Sequence, residues 1–315
     1  MPVTLPNEKF LRKEFVLSKV FEIMEPYLAF HEIIPTVKAP ERVVRYKQEA
    51  VSASTDTRKK TPKTRTPGSK WAQLGLTQMT IKAGILNQQG FEIRIDEDAV
   101  QYASGVDQIQ RAYTRAAFWL AEHVNTSIAT ALIAGATTPT WAPTATWDAA
   151  TATPVDDLIR FRHQIKREGY PYKLTDSYIH SDNLNELSAY LTSIDAGDLK
   201  QKAIYGMPEI MDDYIDIPVV RARVHGLMSG IAEGNILGID RMHPAGTFFY
   251  NNNPKYGSDT IKYKSSDGKL ITVPNFGINV HRYHDDDSHD EVYQMWVDST
   301  TEIMEPYAAL YDTGI

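Results

Sequence analysis

The stretch DEDAVQYASGVDQIQRAYTRAAFWLAEHVNTSIATALIAGA, residues 96–136, decides the fold. Apolar side chains fall at Val106, Ile109, Tyr113, Ala117, Leu120, Val124, Ile128 and Leu132. Gaps of three and four set them on one face of an α-helix. Asp96, Glu97 and Asp98 put negative charge at its N-terminal end, where the helix dipole favours it, and Gly135 is a C-terminal stop. From Asp98 to Gly135 such a helix runs about 57 Å, with Gly105 as the place for an interruption. That exceeds the span of most small domains, so the helix is expected to be a backbone shared by several parts of the molecule.

Upstream, RVVRYKQEA (42–50) reads as a strand, and LTQMTIKAGILNQQGFEIRI (76–95) alternates as one or two returning strands. Between them lies SASTDTRKKTPKTRTPGSK (52–70). Here Arg58, Lys59, Lys60, Lys63, Arg65 and Lys70 face only Asp56. Such a run has too little apolar surface to pack on its own body, so a mobile basic tip on a two-stranded finger is expected. Residues 14–34 mix helical spacing with Pro26 and predict a short broken helix in an N-terminal arm that buries little of its own surface.

Downstream, ATTPTWAPTATWDAATATP (136–154) is a connector pinned by Trp141 and Trp147. A second helix follows, with Thr153 as N-cap, Pro154 at the first helical position and Asp156 and Asp157 in the first turn. Leu158, Phe161 and Ile165 form its buried face. Residues 176–194 read as a strand then a helix, and IDIPVVRARV (215–224) as a strand. From Pro244 the pattern is β-like, with a hairpin turn at Asp267-Gly268. Gly226, Gly230, Gly234 and Gly238 are expected in turns.

Composition narrows the function classes. The 315 residues carry 42% hydrophobic side chains and a net charge of −7. A sizeable core can be buried, and a dedicated nucleic-acid binder is disfavoured, since phosphate contacts need a basic face. With no cysteine, disulfide scaffolds, thiolate zinc sites and cysteine nucleophiles are excluded. The start of the chain is charged and no apolar run is long enough for a membrane helix, so a soluble protein of the cytoplasm is expected.

HRYHDDDSHDE (281–291) is the richest set of potential ligands. His281, His284, His289, Asp285 and Asp287 are of the types that zinc or manganese takes. The run lies between two strand-like segments, however, and Asp/Ser runs fill solvated hairpin turns. A charged turn is the favoured reading and a metal-dependent enzyme the weaker one. There is no phosphate loop, dinucleotide fingerprint or nucleophile elbow. No catalytic constellation emerges and no cofactor is indicated. EIMEPY occurs twice, at 22–27 and 302–307, without matching flanks.

The order of these parts resembles the major capsid proteins of tailed phages and their archaeal relatives, an α+β fold of Hong Kong 97 type. The phrases FEIRIDEDAVQYA, TPVDDLIRFRHQI, LTDSYIHSDNLNELSAYL and YGMPEIMDDYIDIP carry the likeness. It implies an N-terminal arm (1–41), an extended β-finger loop (42–95), a peripheral domain with the spine helix (96–150 and 241–315) and an axial domain (151–240). The resemblance also implies a structural subunit, not an enzyme. It would assemble through pentamers and hexamers into an icosahedral shell around viral double-stranded DNA, in the host cytoplasm, and reside in the virion. Partners would be further copies, scaffold, portal or decoration proteins, and DNA through non-specific contact, with no membrane. Arg58, Lys59, Lys60, Lys63, Arg65 and Lys70 are the candidates for contact between subunits. A cellular encapsulin-type compartment is the alternative within the same fold.

Overall fold

A computed structural model gives the fold and describes residues 13–28, 30, 34–49, 79–96, 106–136, 143, 145–167, 172, 174–193, 219–220, 231–264 and 269–315. Among them, helix α1 spans Lys13–Met24 and the long helix α2 spans Val106–Gly135. The expected apolar stripe of α2 is buried from Ile109 through Tyr113, Ala117, Leu120, Val124 and Ile128 to Leu132. Its 30 residues extend about 45 Å. The expected start at Asp98 and interruption at Gly105 lie outside the described residues. Gly135 closes the helix against the sheet: a Cβ there would lie 2.6 Å from Ile303 Cγ1.

The N-terminal segment is not a free arm in its described part. Val16, Leu17, Val20, Phe21 and Met24 form one face of α1 and are buried. Phe21 stacks on Phe276 at 5.8 Å and meets Tyr263 at 5.5 Å. Pro26 ends α1 in a 3-10 turn over Glu25–Tyr27, and Asn125 of α2 donates to the Tyr27 carbonyl at 2.8 Å. The apolar spacing won: a face of five apolar residues is worth more buried than displayed.

Two sheets flank α2. The first centres on the 14-residue strand β12 (Asp290–Ile303). Strand β4 (Asn87–Asp96) runs antiparallel along one edge of it. Along the other edge β11 (Ile278–Asp285) covers its first half and β8 (Gly246–Asn251) its second, with β1 (Thr36–Lys38) parallel outside β8. Strands β9 (Thr260–Lys264) and β10 (Leu270–Pro274) pair as expected, although their Asp267-Gly268 turn lies outside the described residues. The second sheet has the order β13-β7-β5-β6, from Ala309–Thr313, Asn235–Ile239, Asp176–Ile179 and Val219–Val220. Thus the last strand of the chain joins the sheet of the middle segment, across the boundary expected at residue 241.

Helices α3 (Pro154–Arg167) and α4 (Ser181–Ser193) accompany this second sheet. Leu158 and Phe161 are buried as expected, while the Ile165 side chain lies outside the described set. Gly234 occupies a turn with φ 76°, but Gly238 sits inside β7. A Cβ at that position would lie 2.6 Å from the Phe161 ring. Gly238 is a packing residue beneath α3, which the four-residue glycine spacing did not reveal. Among the described residues no helix is long and apolar enough to cross a membrane.

Candidate functional site

The histidine–aspartate run is the turn of the β11–β12 hairpin. His284 pairs across the strands with Glu291 and Asp285 with Asp290, leaving Asp286–His289 as the turn. His281 and His284 are an odd number of residues apart, so a strand sends them to opposite faces. His281 meets the Tyr256 ring edge-on at 5.2 Å, and His289 takes a left-handed backbone conformation with φ 56°. Three of the run's carboxylates, Asp285, Asp290 and Glu291, already have arginine partners. Arg94 on β4 reaches Glu92 at 2.9 Å, Asp285 at 3.0 Å and Asp290 at 3.8 Å. Arg282 reaches Glu291 at 2.8 Å, and His284 Nδ1 lies 3.4 Å from the same carboxylate. Hydrogen bonds from Ser288 and the Asp287 backbone N–H, with the Arg94 charge, hold the Asp285 carboxyl below the usual range. Among the described residues, no three His, Asp or Glu side chains are grouped to hold a metal ion. His281, His284, His289, Asp285 and Asp287 are therefore not brought together as a ligand set.

The basic tip residues Arg58, Lys59, Lys60, Lys63, Arg65 and Lys70 lie outside the described residues. The stem that carries them is described. Strand β2 (Val43–Glu49) pairs antiparallel with β3 (Met79–Ile85), and Leu86 separates β3 from β4. One face of this ribbon is anchored. Val44 and Leu86 are buried with Ala39 and Phe249, against Met304. Gln48 donates to the Ile303 carbonyl at 3.0 Å. Burial, with a hydrogen bond to Glu302, pushes the Tyr46 phenol up to about 12.

The other face is bare. Val43, Arg45 and Lys47 stand opposite Ile85, Ala83 and Ile81, and directly opposed residues share a face. Ile81 is 69% exposed, Ile85 59% and Val43 48%. Neither Arg45 nor Lys47 has an ion-pair partner among the described residues. A two-stranded ribbon with three exposed aliphatic side chains is marginal in water on its own. Sequence reading found the finger and fixed on its tip; the signal for this face was the alternation Val43, Arg45, Lys47 once the register with β3 is known.

Two buried carboxylates, Asp157 in the first turn of α3 and Asp312 on β13, stand out around the second sheet. Trp147 Nε1 donates to Asp157 Oδ2 at 3.1 Å, which accounts for the expected pinning of the connector; Trp141 lies outside the described residues. Asp312 on β13 accepts the Thr313 backbone N–H at 2.8 Å. Each has a second oxygen without a hydrogen-bond partner. Burial raises both carboxyls above the ordinary range, and the Asp157 charge adds to the rise at Asp312.

No protein-family model and no curated protein matches the sequence. The fold does match solved structures. The virus-like particle from Pyrococcus furiosus aligns over 94% of this chain and 97% of its own, at TM-score 0.57 and 7% identity. The capsid of Cyanophage P-SCSP1u aligns over 91% and 88%, at TM-score 0.53 and 11% identity. The holo-SrpI encapsulin complex from Synechococcus elongatus PCC 7942 aligns over 90% and 85%, at TM-score 0.52 and 9% identity. At such identities what is shared is the fold: the chain has the α+β, Hong Kong 97-type capsid fold.

Proposed function

We propose that the protein is a major capsid protein, a structural subunit that assembles through pentamers and hexamers into an icosahedral shell around viral double-stranded DNA. The observation that carries this reading is the ribbon, whose bare apolar and basic face has no cover among the described residues. On this reading residues 42–95 are the extended loop that lies on a neighbouring copy. Residues 96–150 and 241–315 form the peripheral domain and residues 151–240 the axial domain, with strand β13 of the former pairing into the sheet of the latter, and residues 1–41 contribute helix α1, which is packed in its described part. Arg58, Lys59, Lys60, Lys63, Arg65 and Lys70 supply contacts to acidic surfaces of the neighbour, in an acidic chain where such contacts are complementary. Scaffold, portal or decoration proteins join the copies, DNA is held without sequence readout, and the shell is built in the host cytoplasm. A metal-dependent enzyme is disfavoured by the dispersal of the three histidines.

The encapsulin match favours a second reading, a cellular compartment of the same fold. Sedimentation velocity with absorbance of the purified particles separates the two. A shell subunit sediments as large closed particles; those carrying nuclease-protected DNA support a capsid, and those carrying a cargo protein support a compartment. A chain that remains a monomer with every assembly partner from its own genome rejects both.

A further inference from the structure

We propose that the groove between β4 and α2 seats the acidic hairpin tip of a second copy of this chain, two copies exchanging tips about a two-fold axis. The groove holds about 560 Å³ and is lined by Phe91, Ile93, Arg94, Arg111, Arg115 and Trp119, among others. Arg111, Arg115 and Trp119 follow one another at four-residue spacing, so they form a stripe along one face of α2. Trp119 is half-buried against the Phe91 ring at 4.7 Å, which gives the groove an apolar floor.

Three arginines line this space, and only one is engaged. Arg94 is held by Glu92, Asp285 and Asp290. Arg111 and Arg115 are exposed and have no ion-pair partner among the described residues. Like charges at that spacing disfavour an isolated helix. In a chain of net charge −7, two adjacent unpaired guanidiniums beside a cavity are a docking feature.

The complementary surface is on the same molecule. Asp286 is 96% exposed, with only His284 nearby at 3.7 Å. Asp287 is exposed and has no side-chain partner. This tip stands at the end of the groove, because Arg94 both lines the groove and bonds Asp285. A patch with its acid and its base side by side is self-complementary across a two-fold axis, each tip entering the partner's groove. A nucleic acid fits less well. Its long phosphate string would pass Glu92 in the groove's lining and then run into Asp285, Asp286 and Asp290 at its end, whereas a tip of two carboxylates needs only the Arg111 and Arg115 stripe.

The inference rests on the shell reading, since it names a contact between copies, yet it can be scored separately. Charge reversal of the groove (R111E/R115E) and of the tip (D286K/D287K) is compared with their equimolar mixture and with the fourfold variant. Association is followed by sedimentation velocity at about 0.1 M salt, after nuclease treatment. Each reversal should weaken association about tenfold or more, and the mixture and the fourfold variant should both restore it. Either reversal associating like the unchanged protein overturns the proposal, as does failure of both combinations to recover. Added DNA restoring association to the tip variant in place of the groove variant overturns it too. If the unchanged chain forms dimers but no closed shell, the shell reading fails and the contact stands when the mixture dimerises while each reversal does not. Should a reversal unfold the chain by circular dichroism, R111Q/R115Q and D286N/D287N carry the same comparison, without the recovery arm: weakened association supports the contact and unchanged association overturns it.

Discussion

Asp157 ties a single side chain to the pH dependence of stability. It is buried in the first turn of α3 beside an indole donor, and desolvation holds its carboxyl above the ordinary range, as it does that of Asp312. An acid whose folded pKa exceeds its unfolded value binds its proton more tightly in the folded state. Its contribution therefore favours folding at acid pH and is lost as pH rises from the ordinary carboxylate range through the raised value. Asp157→Asn keeps an acceptor for Trp147 and removes the charge. It is expected to raise the melting temperature at about pH 8 and to flatten the loss of stability between about pH 4 and that value. A variant less stable than the parent at the alkaline end would contradict this. The presence of Asp157 in a first turn and of Trp147 in a pinned connector was legible in the sequence. Their bond, and the approach of Asp312 from the far end of the chain, depend on closure of the second sheet and leave no local trace.

At the scale of elements, the two copies of EIMEPY show what local sequence decides and what it leaves open. In the first copy Glu22, Ile23 and Met24 end helix α1, and in the second Glu302 and Ile303 end strand β12. In both, the proline enters a 3-10 turn, at Glu25–Tyr27 and at Pro306–Ala308. Proline fixes its own backbone angle, so the turn recurs, while the three residues before it follow the element they continue. The long helix was legible for a related reason: thirty residues of unbroken period leave little choice. Helix α1 was legible as a helix but not as a core element, since burial depends on β9 and α2 being there to receive it. The ribbon's stems were legible from alternation, and its exposed face only from its register. Reversing that face with Ile81→Lys/Ile85→Lys is expected to change stability by less than about 0.5 kcal/mol, as for exposed positions generally. The same change should abolish closed particles in sedimentation. Particles of unchanged size would remove the ribbon face from assembly.

On the proposed reading, the molecule as a whole serves contact with copies of itself. Its core runs from α1 through α2 to both sheets in one continuous cluster, so the body folds without the loop between β2 and β3. Deleting residues 52–70 should accordingly leave a folded chain, with a cooperative thermal transition like that of the parent, that forms no shell. Normal particles from the deletion would exclude the loop from assembly. The central claim is that this chain builds closed shells, and electron microscopy of the purified protein tests it most directly. The account predicts closed particles of uniform diameter or rings of five and six subunits. A field of dispersed monomers, persisting with scaffold and portal proteins from the same genome present, would contradict it.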